Sequence, residues 1–137
     1  MVKAALLLSA VAGCFWRSYG SAAAAHVDLL AAMAHKGADL VANGRLTAES
    51  MPELTYPLER AQAFTSAAHA RSRGRPPASL EALDILVARY RDFVDTLDVT
   101  RRDRRPDEAR TALAVQLSAV DTAAETARAA LRAEGNV

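Results

Sequence analysis

Residues 80–97 read LEALDILVARYRDFVDTL, and this stretch decides the fold. Apolar side chains recur along it at alternating steps of three and four residues. Because an α-helix has about 3.6 residues per turn, these steps place the apolar side chains on one face. The pattern predicts a long amphipathic helix with a buried stripe. The stripe comprises Leu80, Leu83, Val87, Tyr90, Val94 and Leu97, and it is flanked by Leu86 and Phe93.

Glycine and proline clusters divide the rest of the chain into three more helical segments. The first predicted helix runs from about Ser21 to Ala42, and Gly44 supplies the left-handed residue that ends many helices. Within it, Gly37 is expected at a close contact between helices. The punctuating residues are Asn43, Gly44, Gly74, Pro76, Pro77, Pro106, Gly135 and Asn136.

The second and fourth helices carry recognisable start signals. A capping box is predicted in which Ser50 accepts the Glu53 amide and Glu53 returns the bond. Pro57 either kinks this second helix or marks its true start, because proline has no amide donor. The fourth helix is predicted to begin near Pro106, a favoured first position. Its apolar stripe comprises Leu113, Leu117, Val120, Ala124, Ala127 and Leu131.

Four helices joined by short connections predict an all-α fold, an up-down-up-down antiparallel four-helix bundle. A chain of 137 residues has room for one hydrophobic core. Alanine occurs 32 times, which favours helices that approach each other closely. The alternative is a helical hairpin that completes its core by dimerising.

Composition and motifs exclude several classes of function. A net charge of +1, with no interleaving of basic and aromatic residues, argues against nucleic-acid binding. Neither a glycine-rich phosphate loop nor a nucleophile motif is present, so we predict no catalytic residue and no enzyme.

The histidines are the natural candidates for metal or haem ligands. His26 and His35 are nine residues apart, which places them on opposite sides of a helix. His35 has Asp39 four residues later, which is a weak pair at best. Haem-binding four-helix cytochromes place a ligating histidine on their last helix, and no histidine follows His69 here. We therefore predict no metal and no cofactor.

The amino-terminal residues have the organisation of an export signal. Lys3 precedes an uncharged apolar run, residues 4–13, that reads AALLLSAVAG. As a helix this run is about 15 Å long, half of a hydrocarbon core of about 30 Å, so a permanent membrane span is not expected. The single cysteine follows directly and excludes an intrachain disulfide. The residues at this junction are Val11, Ala12, Gly13 and Cys14.

This junction resembles the lipobox of bacterial lipoproteins. The resemblance implies that signal peptidase II recognises Val11, Ala12 and Gly13 and cuts before Cys14, whose thiol carries a diacylglyceryl group and whose amine is often acylated, for example with palmitate. The chain would then comprise a cleavable signal helix (1–13), a short lipid-anchored tether (14–20) and the bundle domain (21–137). An extended stretch of seven residues would keep the bundle within about 23 Å of the anchor.

The resemblance also implies a place in the cell. A lipoprotein of this kind is held at the bacterial cell envelope by its lipid, and Phe15, rather than an aspartate, follows the cysteine. That favours the outer membrane, with the protein facing the periplasm. The alternative interpretation is a cytosolic helix in which Cys14 packs in the core.

Arginines concentrate at both ends of the predicted bundle. The end near the anchor is expected to rest against anionic headgroups through Arg17, Arg71, Arg73 and Arg75, and Arg128 and Arg132 are expected nearby. The hypothesis for the opposite tip is that it binds an acidic envelope protein through Arg101, Arg102, Arg104 and Arg105. The alternative is that these arginines only complement the dipole at the C-terminus of a helix.

These observations predict a noncatalytic, lipid-anchored envelope protein that binds a partner or supports structure. The alternative is a carrier that holds a small ligand or cofactor in the bundle interior. Tyr56, Tyr90 and His26 are the polar side chains considered for that role. The sequence does not define the oligomeric state.

Overall fold

The computed structural model describes residues 2–103 and 106–135. Four α-helices pack against one another, and no strand occurs in this part of the chain, so the all-α prediction is confirmed. The most extensive helix contact is between α3 and α4. The helices are α1 (Val2–Ala42), α2 (Met51–Ser72), α3 (Ala78–Arg102) and α4 (Pro106–Ala133), and a short 3-10 turn (Ala48–Ser50) leads into α2.

The stripe of α3 forms the centre of the core. All eight side chains predicted for it are buried, and the aromatic pair Tyr90 and Phe93 is fully so. The Tyr90 hydroxyl donates a 2.5 Å hydrogen bond to the Leu54 carbonyl oxygen of α2, so its polar atom is satisfied inside the core. Five of the six stripe residues of α4 are buried as well, and Leu117 is half-buried.

The first helix is longer than predicted. It begins at Val2 rather than near Ser21, so residues 14–20 are helical and not an extended tether. Phe15, Tyr19 and Ala23 continue the apolar stripe of α1 in four-residue steps, and Tyr19 is only 2% exposed. The aromatic residues after Cys14 therefore extend the helical pattern through the segment that was predicted to be a tether.

The end of α1 is as predicted. Gly44 has φ of 65°, and the Arg45 amide donates a 2.8 Å bond to the Leu40 carbonyl oxygen, which is the six-to-one bond of a Schellman motif. Gly37 is a close-contact position. A Cβ placed there would lie 2.7 Å from Leu97 Cδ1 and 3.2 Å from Phe93 Cε1.

The predicted capping box of α2 is wrong. Ser50 makes no side-chain cap bond to Glu53, and its Oγ accepts the Thr47 amide at 3.2 Å instead. The N-cap is Thr47, one turn earlier, because the 3-10 turn (Ala48–Ser50) runs directly into α2. Pro57 lies inside α2 and is buried, so it does not mark the start of the helix.

One end of the bundle is defined by a buried polar contact. The Tyr19 hydroxyl lies 2.8 Å from Ser79 Oγ at the start of α3, and the Ser79 amide donates a 2.9 Å bond to Glu134 Oε1, just after α4. We call this the Tyr19 end. The opposite end carries Asp98 and Arg101 and is called the Asp98 end.

Within residues 2–103 and 106–135, no helix contains an apolar run of the length and hydropathy that a bilayer crossing requires.

Candidate functional site

Cys14 lies on a solvent-facing side of α1. It is exposed, as are Gly13 and the neighbouring Arg17 and Ser18, whose Oγ donates a 3.3 Å bond to the Cys14 carbonyl oxygen. The side chains of Val11 and Ala12 lie outside the described residues. The opposite side of the same two turns contains Phe15, Trp16 and Tyr19, which pack against the core.

An aromatic cluster joins this segment of α1 to α2. The rings of Tyr19 and Phe64 stack with centroids 5.8 Å apart and an interplanar angle of 11°. Phe15 also stacks on Phe64 at 6.2 Å and meets Trp16 edge-on at 5.1 Å. Burial raises the pKa of Tyr19, although its hydrogen bond to Ser79 acts in the opposite direction. Residues 15–19 are therefore an integral part of the bundle.

Two of the predicted basic residues lie beside this cluster. The Arg71 guanidinium carbon lies 4.7 Å from the centre of the Phe15 ring, a cation–π contact. Arg75 follows a turn in which Arg73 and Gly74 both have left-handed backbones, with φ of 53° and 77°. Arg71 and Arg75 line one surface cleft together with Trp16.

The other predicted members of this basic group are placed differently. Arg17 and Arg73 are exposed and do not line the cleft, and Arg132 is exposed in the last turn of α4. The Arg128 guanidinium binds Asp28 at 2.9 Å and Glu125 at 2.6 Å, so it links α1 and α4. Partial burial is the largest single influence on the pKa of Arg128, and it lowers that pKa. The hydrogen bonds and charges of Asp28 and Glu125 together outweigh burial, so the pKa of Arg128 is raised.

The predicted tip is only partly described. Arg101 and Arg102 each bind Asp98, at 2.9 and 2.8 Å. The Arg101 side chain is 24% exposed, and its buried Nε has no hydrogen-bond partner among the described residues, whereas Arg102 is 68% exposed. Arg104 and Arg105 lie outside the described residues. Of the two described arginines, Arg102 therefore presents the more accessible charge.

The histidines lie apart from one another and contact separate partners. His35 Nε2 lies 2.9 Å from Asp121 Oδ1 of α4, so its partner is not Asp39 as considered from the sequence. His69 bonds to Asp84 of α3. His26 packs on the Phe64 ring at 4.8 Å, and burial, aided by the charge of Arg60, lowers its pKa. Within the described residues, no three metal-binding side chains come together.

The three polar side chains considered for a ligand in the bundle interior do not converge. Tyr90 is buried and bonded to Leu54, and burial raises its pKa. Tyr56 is 58% exposed and accepts a 3.2 Å bond from Arg60 Nη1. His26 lies between α1 and α2 against Phe64.

Sequence reasoning missed the partner of the α1 aromatic residues. Phe64 lies in α2 and has no conspicuous motif around it, yet it contacts Phe15, Tyr19 and His26. The available signal was the four-residue spacing of Phe15, Tyr19 and Ala23. That spacing indicates a helical face that needs a partner.

No family model, curated protein or solved structure matches this chain. Function is therefore inferred from the chain's own residues and from their geometry.

Proposed function

We propose that this chain is the precursor of a bacterial lipoprotein of the cell envelope. In this proposal residues 1–13 form a signal helix that is removed, and Cys14 becomes the lipid-bearing first residue of the mature protein. The mature helical domain is a noncatalytic module that binds a partner protein or supports structure. The outer membrane is the favoured location, with the domain facing the periplasm.

The exposure of Cys14 is the observation that carries this proposal. The alternative, a cysteine that packs in a cytosolic core, requires a buried thiol, and Cys14 is exposed. Its neighbours Phe15 and Trp16 pack against the core from the opposite side of the helix. An acyl group on this thiol would thus extend into solvent or lipid without disturbing the packed side chains.

The helical path of residues 14–21 supports a short, stiff connection between lipid and bundle. A helix rises about 1.5 Å per residue, so Cys14 and Tyr19 are separated by about 7.5 Å along the axis. A bundle attached in this way would hold its Tyr19 end close to the membrane surface. Its Asp98 end, with Arg102, would face away and meet other envelope proteins.

An up-down-up-down order of the four helices accounts for the observed contacts. Tyr19 of α1 meets Ser79 at the start of α3, and Gly37, further along α1, lies against Leu97 near the end of α3. Asp28 of α1 meets Arg128, whereas His35, further along α1, meets Asp121, which comes earlier in α4. Lys36, late in α1, forms an ion pair with Glu53 early in α2. These contacts support opposite directions for α1 and α2 and for α1 and α4. The contacts of Tyr19 with Ser79 and of Gly37 with Leu97 support a parallel direction for α1 and α3.

Membrane attachment tests the proposal in the native host. Wild type and Cys14→Ser are compared with Ser18→Ala, which alters an exposed hydroxyl on the same face. We expect wild type and Ser18→Ala in the membrane fraction after washing with high salt, because acyl chains resist ionic displacement. Cys14→Ser should lose its fatty-acid label. Equal labelling of wild type and Cys14→Ser would contradict the proposed anchor.

A further inference from the structure

A shallow cleft at the Tyr19 end is lined by one tryptophan and two arginine residues. Its volume is about 310 Å³, and it is open to solvent. At about 30 Å³ per water molecule, this volume is sufficient for a phosphate group with its ester substituents. The lining residues are Trp16 of α1, Arg71 and Ser72 of α2, and Arg75 and Pro77 of the following turn.

The two arginines of the cleft are not neutralised by carboxylates. Within residues 2–103 and 106–135, neither Arg71 nor Arg75 forms an ion pair. Arg71 is oriented by other contacts, because it lies over the Phe15 ring and its Nη1 donates a 3.2 Å bond to the Ala67 carbonyl oxygen. One guanidinium is thus held in place while its charge remains available to an anion.

The turn between α2 and α3 directs the second arginine. Arg73 and Gly74 have left-handed backbones, and the Arg75 amide then bonds to the Ser72 carbonyl oxygen at 3.1 Å. The chain is thereby folded back, and Arg75 joins Arg71 at the cleft.

We propose that this cleft binds the phosphate group of an anionic lipid headgroup. Guanidinium groups bind phosphate through paired N–H donors, and tryptophan favours the boundary between headgroups and acyl chains. Trp16 lies two residues after Cys14, about 3 Å along the helix axis, so a lipid on Cys14 would bring the cleft to headgroup depth. This inference rests on the proposed membrane attachment.

Trp16 is the only tryptophan in the chain, so its fluorescence reports directly on the cleft. The full chain carrying Cys14→Ser is titrated with anionic vesicles that contain both phosphatidylglycerol and phosphatidylcholine. A separate titration uses inorganic phosphate at constant ionic strength. Arg71→Gln/Arg75→Gln is compared with Arg45→Gln/Arg89→Gln, which removes the same charge from two exposed positions outside the cleft. Every variant carries Cys14→Ser, so the result does not depend on acylation. The lipid anchor is tested separately, on protein from the native host.

We expect the cleft variant to partition about thirtyfold more weakly into the anionic vesicles, and the change in Trp16 emission on vesicle addition should be smaller. The control variant should change by less than about twofold. Arg75→Gln alone leaves the contact of Arg71 with Phe15 intact and should weaken partitioning by about fivefold. Equal losses in the two double variants would overturn the proposal, because diffuse surface charge would then suffice. A response to inorganic phosphate without one to vesicles would also overturn it, since the cleft would then bind soluble phosphate.

Discussion

The Tyr19 hydroxyl lies 2.8 Å from Ser79 Oγ in a buried contact that joins α1 to the first turn of α3. Both residues are almost fully buried, at 2% and 1% exposure. Ser79 also donates its amide to Glu134, so three helical segments meet at this point. The segment after Cys14 is therefore fixed to the bundle by a specific polar contact as well as by its aromatic rings.

A double-mutant cycle measures the strength of this contact. We expect Tyr19→Phe and Ser79→Ala each to lower the free energy of unfolding, with a coupling of about 1 kcal/mol between them, since each change removes the same hydrogen bond. Urea unfolding at neutral pH gives the free energy of unfolding of wild type, of each single variant and of the double variant. Tyr19→Phe combined with Ser21→Ala, an exposed serine on the outer side of α1, should be additive. Additive effects for the Tyr19 and Ser79 pair would show that the bond contributes nothing.

Stability should fall at alkaline pH because of Tyr90. Burial raises the pKa of this phenol above its ordinary value of about 10, so the folded state favours the neutral form. The contribution of Tyr90 is therefore complete below pH about 10 and is lost as the pH rises towards its folded pKa. Tyr90→Phe should be about 1 kcal/mol less stable at pH 7, because the bond to Leu54 is lost.

Urea midpoints from pH 7 to 11.5 test this dependence. Above pH about 10 the gap between wild type and Tyr90→Phe should narrow, because phenylalanine does not titrate. Tyr56→Phe is the matched control, since Tyr56 is 58% exposed. A gap that stays constant over the whole range would contradict the role assigned to the buried phenol.

Gly37 should not tolerate a methyl group. An added Cβ would lie 2.7 Å from Leu97 Cδ1 in a packed core, so we expect Gly37→Ala to lower the free energy of unfolding by about 1 to 3 kcal/mol. In an open helical position the same substitution is neutral or stabilising. Measured on the uncleaved chain, Gly13→Ala provides that comparison, because a Cβ there meets nothing within 4 Å. A Gly37→Ala chain as stable as wild type would show that Leu97 moves aside without cost.

Much of the fold could be predicted because apolar spacing alone determines which faces are buried. The α3 stripe is the clearest case, since Leu80, Leu97 and the apolar positions between them follow one helical period and are all buried. Gly37 was predicted at a close contact between helices and Gly44 at a left-handed helix end, and both predictions are confirmed. Both predictions follow from the residue type, because glycine has no side chain to clash in a close contact or to disfavour a left-handed backbone.

The errors have specific physical causes. Residues 14–20 were predicted as a tether because the ring that packs on Tyr19 belongs to Phe64, 45 residues away in sequence. The capping box at Ser50 was misplaced because Thr47 and Ser50 offer competing hydroxyls three residues apart. The bond of His35 to Asp121 crosses between two helices, so spacing along one helix could not reveal it.

The candidate site was predictable in part. Arg71 and Arg75 were assigned to one end of the bundle from helix order alone, and they do line one cleft there. Arg128 does not line this cleft, because Asp28 and Glu125 hold its guanidinium between α1 and α4. Ion pairs between helices depend on register, which apolar spacing does not specify.

The outward tip offers a test of partner binding. Because Arg101 is largely buried and bonded to Asp98, a variant limited to Arg102→Ala, Arg104→Ala and Arg105→Ala tests the tip with less risk to the fold. We expect it to recover less of an acidic envelope protein after crosslinking in native envelopes. The control is Arg60→Ala, Arg89→Ala and Arg132→Ala, three arginines on other exposed surfaces. The same recovery from both variants would exclude the tip as the binding surface.

The intact mass of protein isolated from its native host tests the anchor most directly. The account predicts a chain that has lost residues 1–13, starts at Cys14 and has the added mass of a diacylglyceryl group, with or without an amide-linked fatty acid. Fragmentation should place that mass on the first residue. A chain that retains Met1, or one with an unmodified Cys14 thiol, would contradict the account.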